Sequence, residues 1–93
     1  MSKFIKVKVD IVGGAGGVFV DLDIGEDKVR HITSSSEYIV ELKDRHYVAI
    51  VAGSGPSHGS LSITVLDGKK VLKSVKFTQP TFTGFLIFDV KSL

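Results

Sequence analysis

With 93 residues and a net charge of +2, the chain has room for one domain and one modest core. Cysteine and asparagine are both absent, which removes disulfides, thiolate metal sites and N-glycosylation acceptors from consideration. Twelve basic and ten acidic residues, with no run of five or six like charges, make a mixed surface. They do not form the clustered basic patch that neutralises phosphate backbones, so no nucleic-acid partner is expected.

The opening run MSKFIKVKVD places a lysine at every second or third position. It therefore reads as neither a signal peptide nor a membrane span, and the chain as given is expected to be cytoplasmic. A piece cut from a secreted precursor would read the same. Ile5, Val7, Val9 and Ile11 alternate with Lys6, Lys8 and Asp10, the pattern of a half-buried strand. Val18, Val20, Leu22 and Ile24 repeat it. The glycine-rich stretch at 13–16 between these runs invites a hairpin in which Lys8 faces Asp21, Lys6 faces Asp23 and Val9 opposes Val20. Paired in this way, the two aspartates are occupied, and no metal is expected there.

Residues 28–33 form a short, irregular strand, and residues 37–42 a strand with Tyr38, Val40 and Leu42 inward. Residues 46–52 are apolar on both faces, as in a central strand covered from each side. Residues 60–66 alternate through Leu61, Ile63 and Val65. Asp67 and Gly68 supply a hairpin turn into 71–77, where the pattern slips between Leu72 and Val75 and implies a bulge. The last strand, 84–90, holds Phe85, Leu86, Ile87 and Phe88. Either both of its faces are covered, the favoured reading, or one is an exposed apolar patch suited to a symmetric subunit contact. Lysines on the first strand and on 71–77 are expected to guard sheet edges.

Valine, isoleucine and threonine together supply 26 residues, against three alanines and three glutamates, and no window holds a helical period. The chain is thus expected to be all-β, a single antiparallel sandwich of seven to eight strands over residues 1–93, transthyretin-like or immunoglobulin-like.

Two glycine motifs offer chemistry. GPSHG (55–59) matches the G-x-S-x-G of a serine nucleophile elbow, but a helix must follow that serine and a histidine must lie downstream of it. Here a period-two strand follows, and His31, His46 and His58 all lie at or before position 58. Ser57 is accordingly not read as catalytic; the glycines are assigned instead to a wide loop needing positive φ. VGGAGG (12–17) has Phe19 where a dinucleotide fingerprint needs its third glycine, and a strand follows where a helix N-terminus should stand. No enzyme activity, cofactor or metal is expected.

If successive strands reverse direction, every second connection gathers at one end of the sandwich. That end receives 13–16, 33–36, 53–59 and 78–83, which are long, uncharged and rich in Gly, Ser and Thr. The other receives the short charged turns 25–27, 43–45 and 67–70. Uncharged loops with a few larger groups suit an adaptable binding surface, and Ser34, Ser35, Ser57, His58, Gln79 and Phe82 are the candidate binding residues. The expected partner is a protein or a second copy of the chain. Carbohydrate binding is the alternative, disfavoured because there is no tryptophan and both tyrosines are read as inward.

From Ser36 to Gly53 the chain runs SEYIVELKDRHYVAIVAG, a tyrosine strand, a turn and a second tyrosine strand. This resembles the hairpin of carboxypeptidase regulatory-like domains, which are transthyretin-like β-sandwiches. VFVDLD and Thr33 sit where such domains have their early strands and a threonine. The resemblance implies a non-catalytic accessory or interaction module.

Overall fold

The alternation of the first run is realised in β1 (Ser2–Ala15), where Ile5, Val7 and Val9 are buried while Phe4, Lys6 and Lys8 are exposed. The structure is a computed structural model describing residues 2–15, 18–25, 28–55 and 57–91, the side chains at 14, 15 and 57 excepted. Seven further strands follow: β2 (Phe19–Asp23), β3 (Val29–Ile32), β4 (Ser36–Lys43), β5 (Arg45–Ser54), β6 (Ser57–Asp67), β7 (Lys70–Phe77) and β8 (Thr81–Val90). They form two four-stranded antiparallel sheets. Sheet A has the order β4-β1-β6-β7 and sheet B the order β3-β2-β5-β8. The chain is therefore an all-β sandwich, and no helix occurs among the described residues.

The core is the seam between the sheets. Ile5, Val7, Val9, Leu42, Leu61, Ile63 and Val65 of sheet A meet Val20, Leu22, Ile32, Tyr47, Ala49, Val51, Leu86, Phe88 and Val90 of sheet B. Each fully buried Leu, Ile or Val stabilises by about 1.5–3 kcal/mol. The open side between β3 and β4 is closed by Arg30, whose guanidinium carbon lies 4.2 Å from the centre of the Tyr38 ring. On the opposite side Phe77 and Phe82 stack at 4.4 Å.

The expected β1–β2 hairpin does not form. β1 lies in sheet A and β2 in sheet B, so the glycine stretch belongs to a crossover. Lys8 stands opposite Glu37 and Asp21 opposite His31. Period-two burial specifies which face of a strand goes inward but not its neighbour, and a charge match is available on more than one strand. The Tyr38 and Tyr47 strands likewise lie in opposite sheets, joined through Asp44, and the Tyr47 hydroxyl donates to the Lys43 carbonyl at 3.0 Å across that step.

The β6–β7 hairpin turns at Gly68, with φ +62°. The bulge expected in the seventh strand is present: Val65 pairs with Lys73 and Leu66 with Val71, leaving Leu72 as the extra residue. β1 is interior to its sheet, so its lysines guard no edge; those of β7 do.

Candidate functional site

Successive strands reverse direction throughout, so connections alternate between the two poles as the sequence implied. At one pole Ile11 donates its N–H to the Ser35 hydroxyl at 2.8 Å, Gly55 donates its N–H to the Pro80 carbonyl at 2.8 Å, and Gly13 pairs with Gly59. At the other pole Lys3 reaches Asp67 at 2.8 Å and the Lys91 carbonyl at 3.0 Å.

The loops of the first pole are much shorter than their composition suggests. β1 extends through 13–15, β5 through 53–54, β6 begins at 57 and β8 at 81, leaving only a few residues in each connection. Threonine favours strand geometry, and glycine and serine accept it.

Ser34, Ser35, Ser57, His58, Gln79 and Phe82 all come to this pole but not to one point. Ser34 and Ser35 sit in the β3–β4 connection, Ser57 and His58 start the central strand β6, and Gln79 and Phe82 lie at the β7–β8 corner. The Ser35 hydroxyl is already engaged, accepting from Ile11 N–H and donating to the Ile11 carbonyl. The Ser57 side chain lies outside the described residues. Ser34, His58 and Gln79 are exposed.

Phe82 is a correction. It is 7% exposed and belongs to the core, stacked on Phe77, because its alternation with Gly84 and Leu86 points it inward. Among the described residues of GPSHG it is His58 that has a positive φ, at 60°, and neither glycine shares that conformation. Gly55 is instead needed for close approach, since a Cβ there would sit 3.2 Å from the Gln79 carbonyl oxygen.

The larger departure concerns sheet B. The sequence implies cover on both faces of β5 and favours it for β8, yet one face of each is open. Val48, Ile50, Phe85 and Ile87 are 49, 53, 64 and 51% exposed. Val48 pairs with Ile87 and Ile50 with Phe85, so the four make one contiguous apolar block. Its borders are polar: the His46 Nδ1–Asp89 Oδ1 contact at 2.7 Å at one end, and Asp23 beside Ile50 on β2. At the loop pole the block passes through Ala52 and Thr83 into an open groove of about 500 Å³, lined also by Phe19, Phe77, Gln79 and Phe82.

Among the described residues sheet A offers no equivalent. Its exposed Phe4 and Ile39 stand opposite Glu41 and Lys6, so charge interrupts the apolar surface. The signal for the sheet B block is present in the sequence as two runs apolar at every position, 47–52 and 85–88.

Among the described residues the titratable contacts are isolated pairs. Asp21 Oδ1 and His31 Nδ1 are 2.5 Å apart, and the His31 ring stacks on Phe19 at 5.8 Å. Asp23 accepts the Gly25 N–H at 2.9 Å. Among the described residues no three His, Asp or Glu side chains converge as a metal site. Burial holds the Tyr38 phenol above its ordinary value, with the Arg30 charge opposing.

Comparison with protein-family models, curated proteins and solved structures returned no match. The geometry of the surface therefore carries the functional reading.

Proposed function

We propose that the chain is a non-catalytic interaction or assembly module that engages protein through the outer face of β5 and β8 and the adjoining groove at the loop pole. The single observation that supports this is the 2 × 2 block of Val48, Ile50, Phe85 and Ile87, each about half exposed or more. Scattered apolar residues are ordinary on a soluble surface, whereas a contiguous block with a polar rim is the composition of an interface core. Gln79 lines the same groove and is proposed to take part in binding there. Ser34 lies in the β3–β4 connection and His58 on β6 of the other sheet, so both would be peripheral to the block.

The sandwich is proposed to be transthyretin-like. Its first two strands lie in opposite sheets, unlike the immunoglobulin arrangement in which the first two share one. Carbohydrate binding is the weaker reading, since Tyr47 is buried and Tyr38 partly so, leaving no exposed tyrosine platform for a sugar face.

The test uses two matched phenylalanines, Phe85 at 64% exposure on sheet B and Phe4 at 68% on sheet A. A photo-cross-linking benzoylphenylalanine at each position is irradiated in the purified protein and in extract. Protein adducts are expected from position 85 and few from position 4; equal labelling would overturn the proposal.

A further inference from the structure

The four sheet edges are not equally defended. β3 is four residues long and includes Arg30 and His31. β4 carries Glu37, Glu41 and Lys43. β7 carries Lys70, Lys73 and Lys76 and is bulged at Leu72. Short length, charge and bulges are the devices that stop an edge from recruiting another strand. β8 is the least defended: over ten residues it has no bulge and no proline, it bears Asp89 next to its end as its one charge, and among the described residues it pairs only with β5. It also borders the apolar block.

Resting on the interaction reading above, we infer that the partner is a second copy of this chain, with β8 pairing antiparallel to β8 of that copy about a two-fold axis to join two sheets B into one of eight strands. Isologous contacts require a self-complementary surface, and β8 meets that requirement. Opposed residues in an antiparallel pair point to the same face, so a two-fold axis must fall on a residue.

With Ile87 on the axis, Phe85 would face the Asp89 carboxylate of the other copy. With Phe85 on the axis, Ile87 would face Thr83. With Leu86 on the axis, Phe85 and Ile87 face each other twice, Asp89 faces Thr83, and Phe88 faces the small Gly84 on the inner side. The last register matches apolar with apolar, large with small, and places no like charges in opposition. It also joins the two apolar blocks into one stripe. The three lysines of β7 keep the edges of sheet A from doing the same.

A single-strand contact is a small interface, so a concentration-dependent dimer is expected rather than a permanent one. Register is read by charge at position 83, an exposed site opposite Ala52 in the same chain. Sedimentation velocity over about 10–500 µM is expected to show T83K dimerising more tightly than wild type and T83E more weakly. The two should differ roughly tenfold or more, because two symmetry-related pairs with Asp89 change sign together. T83E/D89K should recover the dimer. Bulk repulsion predicts the reverse order, since lysine raises the net charge from +2 and glutamate lowers it.

The inference is overturned by a monomer throughout that range, or by a dimer indifferent to position 83. If position 85 cross-links only to a different protein, self-pairing fails and the interaction reading stands. If position 85 shows no preference over position 4, both fail.

Discussion

Replacing Tyr38 with phenylalanine removes one oxygen and is expected to stabilise the protein. The Tyr38 hydroxyl is buried with no hydrogen-bond partner among the described residues. A buried polar group left unpaired costs about 1–3 kcal/mol, whereas replacement by an apolar group of the same shape is close to neutral or favourable. The ring keeps its packing and its place under Arg30 at 4.2 Å. After subtracting the dispersion attraction that the oxygen itself supplies, the net gain is about 1 kcal/mol, or a rise in Tm of about 4–8 °C for a domain of this size.

A pH signature accompanies it. Burial raises the folded-state pKa of Tyr38 above 10.0, so above that pH the unfolded chain loses its proton while the folded chain keeps one. Stability then falls with rising pH, until the folded-state pKa is passed. Thermal melts of wild type and Y38F at pH 7 and pH 10.5–11 should therefore diverge further at the higher pH, with Y38F the more stable. A loss of 1 kcal/mol or more in Y38F at pH 7 would show that the hydroxyl has a partner and would refute the reasoning.

Two other substitutions probe the loop pole by chemical denaturation. F82A should cost about 3–5 kcal/mol through loss of a buried ring, while Q79A should stay within about 0.5 kcal/mol; an F82A cost as small as that of Q79A would return Phe82 to the surface. G53A should cost about 3 kcal/mol or more, the upper end for overpacking, because its Cβ would collide with the Phe19 carbonyl oxygen in the neighbouring strand. A neutral G53A would mean that β2 and β5 can separate without cost.

The sequence made the fold class and the sorting of connections legible because both follow from period-two burial and strand reversal. Ile5, Val7 and Val9 of the first run can be placed inward from their spacing alone, and the step from Leu72 to Val75 announces its bulge. Strand partnership was not legible. Lys8 finds a carboxylate in Glu37 as readily as in Asp21, and nothing local ranks the two. His46 to Ala52 reads as covered on both sides because every position after the histidine is apolar; its open face depends on what lies above the sheet, which is tertiary information. Phe82 reads as a loop residue because threonines on either side disguise the start of a strand. The backbone of His58 is hidden from the sequence because a positive φ on a non-glycine residue is set by the strands that flank it.

β1 has its partners at residues 36–43 and 57–66, so neither of its ladders is local, and both close only when segments far along the chain are brought back to it. Sheet B in turn is completed only by the final strand. Assembly of such a chain is governed by the loss of freedom in bringing distant segments together, which places its folding in the millisecond-to-second range. During that interval β1 is an unpaired strand, and its lysines, idle as edge guards in the finished molecule, are the kind of charge that discourages unpaired strands from associating.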